Sequence, residues 1–271
     1  MPERPDLEYV VPKLREALTG QVLGVPRVRK PVVLRAMATD LVGRIDAVER
    51  RGHTVILGLG TQEIIVSPML AGRFQIVPPG TKDPASLAIA WPCGDHELRY
   101  LDDVSMGKVY LTPKGMLPAG VTSVGVDVLS EAFTLPVLMA ILKVRRDQIK
   151  IVLMDKSKLD AMGNAYADEV LWHAGFHPKI PAYKLGSAQV SALHQAIVQV
   201  LTHARDEIAQ RQPPLEEKVR DFLHVRGKVG PCHRCGVKLR VLGVRGHDAY
   251  FCPQCQSEGA KVGVVDWGKL S

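Results

Sequence analysis

Hydrophobic and polar positions change their period partway along the chain. Leu7, Val10, Val11, Leu14 and Leu18 fall three or four apart, the spacing of an amphipathic helix, with Pro12 expected either to kink it or to start its second part. From about residue 41 to 111 the pattern is that of strands: Val55, Leu57 and Leu59 alternate, Ile64 to Val66 is a short β-branched run, and Val109 and Leu111 alternate before Pro113. Gly52, Gly60, Gly72, Pro78-Pro79-Gly80, Pro92 and Gly94 punctuate these runs as an antiparallel sandwich or barrel requires. A turn-rich seam follows, at about 112–125, with Pro113, Gly115, Pro118 and Gly120. Beyond it the period is helical: from Ser187, a suitable N-cap, Val190, Leu193, Ile197, Val200, Leu201, Ala204 and Ile208 mark one face of a long helix that Gln212-Pro213-Pro214 closes.

Composition adds bounds. With 271 residues and 46% hydrophobic positions the chain can fill more than one core, which excludes a disordered or fibrous protein. No run approaches the roughly 18 apolar residues of a membrane span. The first thirty residues carry Glu3, Asp6, Glu8 and Glu16 and lack a signal-peptide core, so the expected place is the cytoplasm or nucleoid. Net charge is +7, and the excess is uneven. Lys143, Arg145, Arg146, Lys150, Lys156 and Lys158 outnumber Asp147 and Asp155, and from Lys218 to Arg245 only Asp221 opposes Arg220, Arg226, Lys228, Arg234, Lys238 and Arg240. A basic second half suits a polyanionic partner, most simply nucleic acid, although such runs also serve as solvated faces.

Cys232-x-x-Cys235 and Cys252-x-x-Cys255, sixteen residues apart, have the spacing of a four-cysteine zinc ribbon. Two tight knuckles would each bring two sulfurs to one tetrahedral ion, with Val237 to Val244 and Tyr250-Phe251 forming a hairpin between them. Two disulfides or buried free thiols are the alternative, and nothing else in the chain suggests secretion into an oxidising compartment. A closed four-sulfur site has no open position for water, so the expected zinc, one per chain, is structural. His233 and His247 lie nearby but are not needed as ligands. Cys93 reads as a small buried hydrophobe.

In MDKSKLDAMGNAYADEVLWHAGFHP, residues 154–178, Gly163-Asn164 interrupts a helical tendency just ahead of a strong helix former. Either Asn164 caps an αα turn, or it joins the free N–H groups of the new helix in meeting a phosphate; periodicity does not separate these. The stretch resembles the helix-two-turn-helix element of the formamidopyrimidine-DNA glycosylase and endonuclease VIII family in Gly163, Asn164, Tyr166, Ala167, Asp168, Glu169, Ala174, Gly175 and Pro178. The N-terminal Pro2-Glu3-x-Pro5-Asp6-x-Glu8, the Ala71-Gly72-Arg73 turn and the ribbon spacing match in the same order, so the similarity spans nearly the whole chain.

The resemblance implies an α+β multidomain protein: an N-terminal antiparallel β-sandwich (1–118), a helical helix-two-turn-helix domain (126–215) and a zinc ribbon with its tail (216–271). It implies a DNA glycosylase with associated abasic-site lyase activity, acting as a monomer on double-stranded DNA that holds damaged bases or abasic sites. Pro2 would be the nucleophile once Met1 is removed, and Glu3 the general acid and base. Asn164, Lys150, His53, Arg245 and His247 would grip DNA, and Leu70 would fill the gap left by a flipped nucleotide. A non-cutting DNA-binding protein of the same fold is the competing reading.

Several positions depart from the family pattern. His53 stands where a strand lysine is usual, and His247 where an arginine follows Gly246, with Arg245 beside it. Arg4 replaces a leucine. The usual Asp-Pro-Arg-Arg-Phe-Gly loop, which supplies two further gap-filling residues, is Asp102-Asp103-Val104-Ser105-Met106-Gly107.

Overall fold

The computed structural model describes residues 2–118, 125–160 and 162–257; Met1, Gly120 of the seam and the tail beyond 257 lie outside them. The chain forms two compact units, residues 1–123 with 207–219, and residues 124–206 with 220–271.

The first unit begins with α1 (Arg4–Leu18), followed by β1 (Val22–Leu23), β2 (Arg27–Val28), β3 (Gly43–Arg44), β4 (Ala47–Arg51), β5 (Thr54–Leu59), β6 (Gln62–Ser67), β7 (Arg73–Val77), β8 (Leu87–Cys93), β9 (His96–Leu101) and β10 (Lys108–Pro113). These make a sheet ordered β3-β1-β8-β9-β7, with β2 also on β8, and a second sheet ordered β10-β6-β5-β4. Val48, Val55, Leu57, Ile64 and Val66 from one sheet meet Phe74, Ile89, Trp91, Leu98 and Tyr100 from the other in one core, so the architecture is an antiparallel sandwich. Leu7, Val11, Leu14 and Leu18 of α1 join that core. The helix runs through Pro12 unbroken; Pro12 is exposed, so water can take over the Glu8 carbonyl that loses its partner. Ile56 is as buried as its neighbours Val55 and Leu57, so β5 is covered on both faces rather than on alternate positions.

In the second unit β11 (Val126–Asp127) pairs in parallel with β12 (Leu159–Asp160), and α2 (Leu135–Lys143), α3 (Ile149–Leu153), α4 (Asn164–Ala174) and α5 (Ser187–Arg211) pack around Leu138, Ile149, Leu153, Tyr166, Val170, Leu193, Ile197 and Leu201. α4 ends where Gly175 turns left-handed (φ 78°): the Gly175 N–H bonds the Trp172 carbonyl and the Phe176 N–H the Leu171 carbonyl, a Schellman cap. β13 (Arg240–Val244) and β14 (His247–Phe251) form the antiparallel hairpin expected between the cysteine pairs. No helix among the described residues is long and apolar enough to cross a membrane.

Candidate functional site

In the first unit Pro2 is buried, and Glu3 beside it is the N-cap of α1. The Glu3 N–H donates to Asp6 Oδ2 at 2.7 Å, while the Glu3 side chain accepts from the Asp6 N–H. This reciprocal box, with a glutamate where a serine is commoner, satisfies two otherwise unpaired donors and sets a carboxylate against the positive end of the helix. Arg4 lies buried with Glu3 and Asp6 and pairs with Glu8, so its charge is met within the helix.

Leu70 sits on a tight turn. The Gly72 N–H returns to the Pro68 carbonyl at 2.7 Å, and a Cβ on Gly72 would lie 2.1 Å from that oxygen, so the close approach requires glycine. Met69 is left-handed (φ 42°), and Leu70 stands outward, 60% exposed. His53 is the second of two residues that turn β4 into β5, after Gly52 (φ 62°), in the place glycine takes in a type II′ turn. The loop that lacks the family's arginines is organised by Asp102, fully buried, whose carboxylate accepts from the N–H groups of Val104, Ser105 and Gly107 at 3.1, 3.0 and 2.7 Å. Burial, with the adjacent Asp102, raises the Tyr100 phenol well above its ordinary value, so its O–H remains a donor to Asp102.

In the second unit Asn164 is the first residue of α4, behind Gly163 as N-cap, and its Oδ1 is buried without a hydrogen-bond partner. Lys150 differs from its expected role as a phosphate contact. It is fully buried, its ammonium donating to Asp168 and, at 2.7 Å, to the Asp248 carbonyl. Arg226 reaches the same two groups at 3.0 and 3.1 Å. Burial raises the Asp168 carboxyl to about 6, against the pull of Lys150 and Arg226. The ammonium is therefore committed to tying α3, α4 and β14 together.

Arg245 and Gly246, at φ 45° and 81°, form the two-residue turn of the ribbon hairpin, as a type I′ turn demands. Arg245 is exposed and lies 2.8 Å from Asp147; His247, also exposed, opens β14. The Lys150 network thus brings the start of α4 and this hairpin into one assembly. Two acidic residues matched to the family motif without a role turn out to build it: Asp168 as above, and Glu169, whose carboxylate accepts from the N–H groups of His224, Val225 and Arg226, each at 2.8 Å. Their signal in the sequence is adjacency of two carboxylates to the apolar Val170-Leu171-Trp172, since buried charges need built partners.

The four ribbon cysteines are free of disulfides, and their sulfurs all lie within 4.8 Å of one another, with Cys232–Cys255 at 3.9 Å and Cys235–Cys252 at 3.4 Å. Tetrahedral zinc with Zn–S of roughly 2.3 Å separates its sulfurs by about 3.8 Å, so the cluster fits one structural zinc ion. Its electrostatics agree. Burial, reinforced by neighbouring thiols, raises Cys255 to about 12 and also raises Cys252, whereas Cys232, despite burial, is brought down to about 6 by the Trp172 indole N–H and main-chain donors. Adjacent thiols resist ionising together, and a divalent cation lets them do so. The knuckles turn at Gly236 (φ 74°) and at Gln256, whose side chain bonds the Cys252 N–H and the Phe176 carbonyl and so fixes the ribbon to the end of α4.

Three family models match the chain: the formamidopyrimidine-DNA glycosylase N-terminal domain over residues 1–109, its H2TH domain over 124–211, and a zinc finger found in FPG and IleRS over 230–257. The formamidopyrimidine-DNA glycosylase of Symbiobacterium thermophilum is 31% identical, over 94% of this chain and 89% of that protein. That of Enterococcus faecalis is 29% identical, over 94% and 97%. Among solved structures, Lactococcus lactis Fpg bound to DNA containing an oxidised pyrimidine superposes with a TM-score of 0.86 at 25% identity, covering 94% of this chain and 99% of the other. The same protein with abasic-site DNA gives 0.85 at 23%, with the same coverage. With this identity sustained along nearly its whole length, the chain belongs to the formamidopyrimidine-DNA glycosylase family.

Proposed function

We propose that the protein is a DNA glycosylase and abasic-site lyase that excises oxidised or ring-opened bases from duplex DNA, with the Pro2 nitrogen as nucleophile. The observation that carries this reading is the pairing of a buried Pro2 with Glu3, whose carboxylate is held in the Asp6 capping box at the start of α1. Relatives of the same family, seen bound to oxidised-base and abasic-site DNA, support it.

Removal of Met1 leaves Pro2 a secondary amine, and a reference α-amino pKa of roughly 8 keeps a usable fraction unprotonated at neutral pH. Its lone pair attacks the sugar carbon that bears the damaged base. The bond from that carbon to the base breaks, and the base leaves with the electron pair and takes up a proton. Ring opening gives an iminium between Pro2 and the sugar, which acidifies the neighbouring C–H. Loss of that proton to a base expels the 3′ phosphate and cuts the strand; water then hydrolyses the iminium and restores the amine. Glu3 is the group we assign to proton transfer.

We assign Asn164, His53, Arg245 and His247 to phosphate contacts, Leu70 to the flipped-out gap, and Lys150 to positioning α4 and the hairpin rather than to direct contact. The zinc ion holds the ribbon knuckles in shape. The protein acts as a monomer in the cytoplasm, on the nucleoid. Borohydride trapping on duplexes carrying an abasic site or an oxidised base tests the reading: a covalent adduct is expected, and a chain that retains Met1, whose Pro2 nitrogen is an amide with no usable lone pair, should give none. A chain that binds these duplexes and never traps would be the non-cutting DNA-binding protein instead.

A further inference from the structure

α2 turns Leu138 and Leu142 into the core of the second unit, which leaves Met139 and Lys143, one helical turn apart, on its outer side. Val144, the C-cap of α2, follows them outward at 76% exposure. A second wall comes from the short 3-10 turn Ala182–Lys184. Ala182 is buried and donates its N–H to the Asp147 carbonyl at 2.9 Å, while Tyr183, 48% exposed, and Lys184 stand outward. The Ile149 N–H donates to the Ile180 carbonyl at 2.7 Å and Gln148 pairs with Pro181, so the chain leaving α2 and the chain entering the turn are tied side by side. Met139, Lys143, Tyr183 and the first turn of α5 line one cavity between these walls, of about 260 Å³.

Single exposed hydrophobics are ordinary, but Met139, Val144 and Tyr183 around one cavity mark a surface of interaction. Its size lies below the roughly 300–1,000 Å³ of sites that enclose a whole drug-sized ligand, so it suits a side-chain anchor carried by a larger partner. Its charge is one-sided. No carboxylate lines it, and Lys143 and Lys184, both exposed, make no ion pair among the described residues, whereas Asp147 and Asp155 are held by Arg245 and Arg145. A second copy of this chain, at net charge +7, would bring like charge to the two lysines. The phosphates of DNA would satisfy the lysines and leave the three apolar side chains in water. No residue of the groove belongs to the zinc ribbon or to the contacts assigned to DNA above.

We propose that this groove docks an acidic segment of a partner protein: a bulky apolar side chain enters between Met139 and Tyr183, and carboxylates on either side of it meet Lys143 and Lys184. The buried anchor supplies most of the affinity, and an exposed Tyr beside a pocket is a common place for it. The lysines speed the encounter and reject basic or neutral segments, the usual part of charge complementarity at an interface. The seam between Gln148 and Pro181 fixes both walls before the partner arrives, so little ordering is left to the binding step. The inference does not depend on the chemistry of Pro2.

The test is a library of fluorescein-labelled octapeptides that carry a randomised pair of bulky apolar residues in a frame of Asp and Glu, beside matching libraries in a Ser and in a Lys-Arg frame. Anisotropy titrations use the full zinc-loaded chain at roughly 0.15 M salt, where charges beyond about 8 Å are screened. Acidic-frame peptides should bind about tenfold or more tightly than the Ser frame. Met139→Ser with Tyr183→Ser should weaken the best of them by about tenfold or more. Lys143→Glu with Lys184→Glu should turn the preference over to the Lys-Arg frame. Affinity for a duplex with an uncleavable tetrahydrofuran site should stay within about threefold in both variants, as expected of surface changes away from the contact, with zinc content unchanged as the check on folding. Failure of every acidic-frame peptide to bind, equal binding of the Ser frame, or full binding by either variant would overturn the docking site. Loss of duplex affinity in both variants, with the duplex displacing the peptide, would make the groove part of the DNA interface instead. Self-association in sedimentation that the variants abolish would make its occupant a second copy.

Discussion

The indole N–H of Trp172 donates to the Cys232 sulfur at 3.4 Å, so a side chain of α4 holds a ligand of the zinc cluster. The ring itself is gripped on both faces: the Arg234 guanidinium lies 4.0 Å from its centroid, and His224 stacks at 4.6 Å. Arg234 also donates to the Trp172 carbonyl at 2.8 Å. Helix and ribbon are therefore coupled through one aromatic side chain.

Trp172→Phe keeps the stack and removes the donor. Zinc affinity measured by chelator competition should fall about 10- to 100-fold, the usual cost of losing an outer-shell partner. Cys235→Ser should release the metal altogether and weaken DNA binding while the sandwich unit stays folded, because ribbon structure and metal binding are one equilibrium. Full DNA affinity in a metal-free preparation would show that the ribbon has no part in binding.

Lys150→Met leaves Asp168 buried with the Arg226 guanidinium and the Tyr250 main chain as its partners. Breaking a buried pair from one side costs about 3–5 kcal/mol, and the remaining guanidinium places the expected loss at about 3. Adding Asp168→Leu should recover much of the loss in denaturant unfolding. If Lys150→Met unfolds like the wild type, the ammonium does not hold these elements together.

Burial, with Lys179 nearby, pushes His177 down to about 4; its Nδ1 accepts from the Lys179 N–H at 3.3 Å and its Nε2 is buried without a partner. A depressed histidine contributes stability that is complete above the unfolded value of roughly 6.5 and is lost as pH falls toward the folded one, of order 3 kcal/mol here. Asp168, raised by burial to about 6, acts in the opposite sense: its contribution is present at low pH and lost as pH rises through 6. The wild-type profile is thus partly compensated, and the informative quantity is a difference. His177→Asn should gain stability relative to wild type between pH 6.5 and 4.5 in denaturant titrations. Parallel curves would show that His177 is not held neutral by the fold.

His53→Lys with His247→Arg should raise affinity for duplex DNA severalfold and steepen its salt dependence, by about 0.9 in the log–log slope for each additional phosphate neutralised. Anisotropy titrations over a salt series measure both. An unchanged slope would place both turns away from the phosphates.

The cysteine cluster and the Gly163-Asn164 turn were legible in the sequence because each depends on local chain geometry. Four thiols in two Cys-x-x-Cys knuckles can meet one ion wherever the ribbon packs, and a glycine followed by a helix former starts a helix in most settings. The α1 stripe and the strand runs were readable for the same reason: a period of 3.6 or 2 is a property of neighbouring residues. Pro12 shows the limit of such reading, since whether it breaks a helix depends on whether its face is exposed. Lys150 shows it more sharply. In a basic run it reads as a surface cation, yet its partners Asp168 and Asp248 lie 18 and 98 residues away and only packing brings them together. Asp102 and Glu169 likewise became organising carboxylates once folding placed three main-chain donors around each. The sequence by itself thus determined the helix and strand segments, the metal ligands and the Pro2-Glu3 pair, all set by spacing along the chain. Tertiary structure alone decided which charges are buried and which apolar side chains, Leu70, Val104 and Met106, remain outside, because burial follows from the packing of segments far apart in sequence.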